Sequence, residues 1–304
     1  GTATAGTIQA QHAYGDDGTY TALVSVLDDD GAVSSRTFKV TVANAVPILA
    51  ALTDQAVPEG TFIQLPPAAF TDAGYQDSHT ATIDWGDGTS EPPGSIVLTP
   101  TPGVEGTATA GTIQAQHAYG DNGTYTALVT VRDDDGAVSS RTFKVTVANA
   151  APVLAALPDQ AVAEGTFIQL PPAAFTDVGY QDSHTATIDW GDGTSEPGGD
   201  ITLFSAPGAE GTATAGTVLA RHAYADNGTY NALLTVRDDD GGIGTAALKV
   251  TVGNVAPAVA ALPDTLSGAG GVVHVGGQIP IRTIQAYASL GAGTPGVRHG
   301  SFSY

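Results

Sequence analysis

The chain has 304 residues, with 31 acidic against 10 basic side chains and a formal charge of −21, enough length for two or three domains. That balance disfavours nucleic acid, because phosphate contacts need clustered Lys and Arg. The absence of cysteine excludes disulfides and thiolate metal sites, and no stretch reaches the roughly 18 apolar residues that a membrane span needs. Abundant Gly and Pro, with Thr and Val crowding the periodic stretches, favour short strands joined by turns. Calcium is the natural partner for so many carboxylates, since hard cations take oxygen ligands; the alternative is that the acids keep a surface soluble.

The chain repeats itself. Gly1–Val46 returns as Gly106–Ala151 and again as Gly211–Ala256, and Pro47–Glu105 returns as Pro152–Glu210, at a constant shift of 105 residues. Such a period is domain-sized, not the short period of a solenoid. The expected organisation is the late half of a repeat (1–46), two complete repeats (47–151 and 152–256), and a divergent tail (257–304) resembling the early strands of another. We call these repeats beads.

Within 47–151 the strand signals are TFIQL (61–65), TATIDW (80–85), GTIQAQHAY (111–119), TYTALVTV (124–131) and RTFKVTV (141–147). Tyr125, Ala127, Val129 and Val131 share one face, and Phe143, Val145 and Val147 alternate likewise. Period two with one apolar face predicts half-buried antiparallel strands. Seven or so strands in about 100 residues predict an all-β sandwich.

The decapeptide IDWGDGTSEP occurs at 83–92 and 188–197. Asp84, Asp87 and Glu91 supply enough carboxylates for a glycosidase pair, but Asp-Gly between two strand-like runs is the favoured core of a tight hairpin turn, since both positions tolerate positive φ. The turn reading is preferred, with Trp85 and Trp190 filling the core. His12, His79, His117, His184 and His222 have no Cys or second His at ligand spacing, so packing or hydrogen bonding is expected of them rather than zinc. No G-x-S-x-G elbow supports a Ser-His-Asp triad.

Asp121, Gly123 and Tyr125 have the D-x-G-x-Y spacing of a tyrosine corner, which recurs around Tyr20 and Tyr230. DWGDGT followed by HAYGDNGTYTALVTVRDDDG resembles the PKD domains that occur in tandem on prokaryotic surface proteins. The matching positions are Trp85-Gly86-Asp87-Gly88, His117, Tyr119, Gly123 and Tyr125. Ile83 and Ile188 stand where the family often has a second aromatic. The resemblance covers 1–256. It implies tandem Ig-like sandwiches in a linear array and an extracellular, cell-surface, usually non-catalytic role.

Asp28–Asp30, Asp133–Asp135 and Asp238–Asp240 each precede a glycine between the last two strands, without the spacing of an EF-hand. In an Ig-like sandwich that loop lies at the same end as the B–C loop, here FTDAGYQDS (70–78). Asp72 and Asp77 should therefore join Asp133, Asp134 and Asp135, and Asp177 and Asp182 should join Asp238, Asp239 and Asp240, in hard-cation sites. That end should face the preceding bead, whose opposite end carries Asp121 and Glu59. The alternative is a wet, flexible junction with its acids splayed.

APAVAALPD (256–264) matches APVLAALPD (151–159), but residues 265–304 contain no acid, and Arg282 stands where the repeat has Asp177. A sandwich lacking early strands exposes its core and open edges. Three resolutions are open: a second copy donates its tail and places Arg282 near Asp28, Asp29 and Asp30; the chain is cut from a longer array; or the tail folds back. The expected function is a non-enzymatic filament or stalk subunit joined head-to-tail to copies of itself. The runner-up is an adhesive or glycan-binding spacer from a larger surface protein or secreted enzyme. A glycan site would need an exposed aromatic platform, for which no Tyr cluster is evident.

Overall fold

A computed structural model describes residues 5–65, 68–89, 95–196 and 200–258, and the described residues contain strands and no helix. The chain forms two units, Gly1–Val255 and Ala256–Tyr304. All the strands named below belong to the first.

Each complete bead is a two-sheet sandwich. In 47–151 one sheet runs Gln55–Pro58, Val138–Ala148, Gly123–Asp133, His79–Asp84 in spatial order, and the other Ile48–Leu49, Ala68–Asp72, Thr109–Gln114, Val97–Thr101. Pairing is antiparallel except at one edge, where Gln55–Pro58 lies parallel to Val145–Ala148. Pro58 is tolerated there because an edge strand need not donate on both sides. The third bead repeats this plan, with Gly228–Asp238 and Ile243–Gly253 as its long central hairpin.

The period-two pattern fixes which side chains meet. Tyr125 pairs with Val145 and Ala127 with Phe143, and Ala127, Val129, Val131, Phe143 and Val145 are all buried. Trp85 and Trp190 are fully enclosed, each at the centre of its own bead's core. The Trp85 ring meets Phe143 edge-on and stacks on His117. Tyr119 closes the same cluster by donating its hydroxyl to the Trp85 carbonyl at 2.9 Å.

Three local expectations change. Residues 70–78 are not wholly loop: Ala68–Asp72 is a strand whose inward face is Ala68, Phe70 and Asp72. The segment 111–119 splits, because Thr109–Gln114 pairs with Ala68–Asp72 while Gln116–His117 turns to pair with Ile63–Gln64. The Trp-Gly-Asp-Gly turn is not one in which Asp adopts positive φ: only Gly86 (+80°) and Gly88 (+88°) do. The two Asp instead stitch the turn, Asp84 accepting the Gly86 N–H at 2.9 Å and Asp87 the Thr89 N–H at 2.9 Å.

Residues 18–42 form an isolated hairpin, Gly18–Leu27 against Val33–Val42, in the register of its counterparts. Its inward-patterned face is open: Phe38 is 54% exposed and Val26 52%, whereas the equivalent Phe143 and Val131 are 2% and 0%. The tail expectation and Arg282 lie outside the described residues.

Candidate cation site at the bead junctions

The two junctions between beads are built alike because the sequences that form them are nearly identical. At each, a Tyr-Gln pair from the following bead reaches back. Tyr75 donates its hydroxyl to the Ala13 carbonyl at 3.0 Å and Tyr180 to that of Ala118 at 2.6 Å. The N–H of Gln76 meets the Gly15 carbonyl, and that of Gln181 the Gly120 carbonyl, both at 3.0 Å. A glutamate completes the clasp. Glu105 accepts from Ala13 N–H and lies 2.8 Å from His12; Glu210 accepts from Ala118 N–H and lies 3.1 Å from His117. Asn44 and Asn149 tie the linkers to Asp133 (3.2 Å) and Asp238 (3.3 Å) of the next bead.

Acidic groups gather beside these clasps. Asp72, Asp77 and Asp133 place one oxygen each within a 4.8 Å span, as do Asp77, Asp134 and Asp135, and Asp177, Asp182 and Asp238. At the first junction Asp135 also meets Asp16 and Asp17. At the second, Glu59 and Asp121 from one bead meet Asp182 and Asp240 from the next within the same span. Oxygens sharing one calcium, each about 2.4 Å from the ion, lie no more than about 5 Å apart. The spacing of these oxygens is one that a single calcium ion can bridge.

These carboxylates are not equally available. Asp72 gives one oxygen to the Gly74 N–H (3.0 Å) and lies against His79 (3.1 Å); Asp177 does the same with Gly179 and His184 (both 3.0 Å). Asp133 and Asp238 close their own turns by accepting from Ala137 and Gly242, as Asp28 does from Ala32. In each Asp-Asp-Asp-Gly run the first acid is thus a turn plug. Asp134 and Asp239 accept the Ser78 and Ser183 N–H at 2.9 Å. Asp239 belongs to none of the clusters found among the described residues, and its bond to Ser183 holds its carboxyl below the usual range.

Unpartnered oxygens concentrate at the second junction. Glu59 is fully buried; its Oε1 accepts the Ala150 N–H at 2.7 Å, while its Oε2 has no partner. Both oxygens of Asp182 and Oδ2 of Asp238 are likewise buried without a partner. A buried carboxylate left this way is costly unless a cation or a proton joins it. Burial, reinforced by neighbouring acids, pushes Glu59 up to about 7 and Asp182 up to about 8. Burial and acidic neighbours push Asp77 up to about 6, and raise Asp240. Loss of solvent at the junction, with Asp17 and Asp16 alongside, pushes Asp135 up to about 6.

The tyrosine corners at Tyr20, Tyr125 and Tyr230 each donate to the carbonyl of Asp16, Asp121 and Asp226, all at 3.0 Å. They hold in shape the turns that present Asp16 and Asp121 to the following bead. Asp28, Asp29 and Asp30 are exposed, so the expected pairing with Arg282 has only one side within the described residues.

Sequence reasoning overlooked the Tyr-Gln knob and Glu105 and Glu210. No local signal marks them: GYQDS stands unchanged at 74–78 and 179–183, but so does nearly all of the repeat around it.

Fold and junctions together define a tandem array of Ig-like sandwiches. The chain belongs to the PKD domain family, whose model matches residues 44–147 and 149–252. A solved PKD domain of an M14-like peptidase from a Thermoplasmatales archaeon is 26% identical, with 34% of this chain and 92% of that one covered and a TM-score of 0.23. Similar folds include Rst D1-D2 (13% identity, 68% of this chain, 100% of that one, TM-score 0.34) and mouse cadherin-23 EC22-24 (14%, 78%, 74%, TM-score 0.27). No curated protein matches the chain. No helix among the described residues is long and apolar enough to cross a membrane.

Proposed function

We propose that this protein is a non-enzymatic, extracellular spacer: a stalk or filament segment of PKD beads whose junctions are stiffened by calcium. The observation that carries this reading is the meeting of Glu59 and Asp121 with Asp182 and Asp240 across one junction, with Glu59 buried and one of its oxygens unpartnered. Four carboxylates drawn from two beads repel one another when bare. A divalent ion turns that repulsion into a crosslink between beads. The clasps of Tyr180 and Glu210 then set the angle, and the ion sets the stiffness. The test is small-angle scattering on EGTA-treated protein titrated with calcium. A narrowed, lengthened distance distribution with a raised Tm supports the reading; no change in either removes it.

The open face of the 18–42 hairpin favours an assembly reading as well. Phe38 and Val26 are exposed where their counterparts are core, and early PKD strands would cover them, whether those strands precede Gly1 in a longer array or are added by β-augmentation. The head-to-tail version takes those strands from a second copy, residues 257–304 being the closest to them in sequence register. Light scattering decides it: concentration-dependent polymers support the exchange, and a monodisperse monomer rejects it.

A further inference from the structure

The corners that receive the Tyr-Gln knob read HAYG at 12–15 and 117–120, and the third bead's counterpart reads HAYA at 222–225. Gly15 and Gly120 are buried under the knobs of the following beads, whereas Ala225 is exposed. A Cβ at Gly15 would fall 2.5 Å from the Tyr75 ring and 2.8 Å from the Gln76 side chain; at Gly120 it would crowd the Tyr180 ring and Gln181 in the same way. The ring cannot simply swing aside, because its hydroxyl is bonded to Ala118 and the adjoining Gln181 N–H to Gly120 itself. Moving the knob moves the loop that carries Asp182.

The rest of the socket persists on the third bead. His222, Ala223, Asp226 and Asn254 stand at the repeat positions of His117, Ala118, Asp121 and Asn149. Glu164 accepts the Val255 N–H at 2.7 Å as Glu59 accepts that of Ala150. One repeat further on, the sequence has Gln285-Ala286 where Tyr75-Gln76 and Tyr180-Gln181 stand.

We infer that the glycine socket is the surface that selects a Tyr-Gln-bearing PKD bead as a rigid neighbour, and that Ala225 closes the third bead's corner to such a bead. The fitted partner is a bead presenting Tyr-Gln on the loop after its buried Phe-Thr-Asp strand. A methyl group in the socket excludes it. This selection is steric and involves no carboxylate, so it stands or falls separately from calcium.

Amide hydrogen exchange on the full chain tests it. In the parent the Gln181 N–H is protected by its bond to Gly120; in Gly120→Ala its protection should fall at least tenfold, while strand amides of Ala232 and Leu234 and the Gln76 amide keep theirs. A second arm replaces 257–304 with another copy of 152–256. The appended copy's counterpart of Gln181 should exchange freely, and Ala225→Gly should restore at least tenfold protection. Unchanged Gln181 protection in Gly120→Ala with its strands intact, or equal exchange with and without Ala225→Gly, would overturn the inference. If Gly120→Ala unfolds the bead, the Ala225 pair decides alone.

Discussion

Glu59→Gln removes one negative charge from the second junction yet leaves an amide oxygen to accept the Ala150 N–H that Oε1 takes at 2.7 Å. The four carboxylates there place oxygens within 4.8 Å of one another. At that spacing each bare pair costs roughly 1 kcal/mol in water-like surroundings and about 3–4 kcal/mol at an effective dielectric near 20. Proton uptake by Glu59 and Asp182, which burial pushes to about 7 and 8, limits the total. About 1–3 kcal/mol should therefore be released in metal-free protein at pH 8, a Tm rise of at least about 4 °C for a domain this size. With calcium bound the same change deletes a ligand oxygen and should weaken affinity about tenfold, or roughly 1.4 kcal/mol. The substitution stabilises in EGTA and destabilises in calcium. Scanning calorimetry in both buffers, with isothermal titration of calcium, reads the reversal. A loss of Tm of equal size in both buffers would mean that Glu59 only packs, and would refute the electrostatic account.

Further outcomes follow from the same structure. Because Glu59 and Asp182 have folded-state values above the ordinary carboxylate range, the folded junction binds more protons than the unfolded chain. These two groups therefore contribute stability that is fully present below about pH 4 and is lost as pH rises through 7–8; calcium should flatten that loss, checked by Tm from pH 5 to 8.5 against Glu59→Gln, which should lack the Glu59 part of it. Phe143→Ala should cost about 3–5 kcal/mol in urea unfolding, and Phe38→Ala less than about 1 kcal/mol, since Phe38 is 54% exposed. Equal losses would mean that the 18–42 hairpin is covered in solution. Gly86→Ala should cost about 2–4 kcal/mol, because φ is +80° and the new Cβ would sit 2.5 Å from the Thr126 carbonyl. Tyr119→Phe should cost about 1–2 kcal/mol by removing the buried donor to the Trp85 carbonyl; an unchanged urea midpoint would show that bond to be idle.

How legible the site was depended on the distance between its parts. The Asp-Asp-Asp-Gly runs were conspicuous, but their first acids close a four-residue turn, Asp133 accepting from Ala137, and Asp239 is held by Ser183. Those bonds decide which oxygens remain for a cation, and adjacency in sequence carries no trace of them. Glu59 and Asp121 stood out only through the expectation that opposite bead ends meet. Glu105 and Glu210 carried no motif that set them apart.

Alternation of Tyr125, Ala127, Val129 and Val131 was enough to determine the strands and the sandwich, because a pleated backbone sends neighbouring side chains to opposite faces whatever else surrounds it. The repeat likewise determined that both junctions would be alike. The missing early strands of 1–46 also foretold a bare Phe38, and only the tertiary structure decided that Tyr180 enters a socket floored by Gly120 and that Glu210 reaches His117. Those facts depend on partners some 50 to 100 residues away in the chain. Identical local sequence takes on different surroundings according to what the rest of the chain brings against it, as exposed Asp226 shows beside half-buried Asp121 within the same DNGTY stretch.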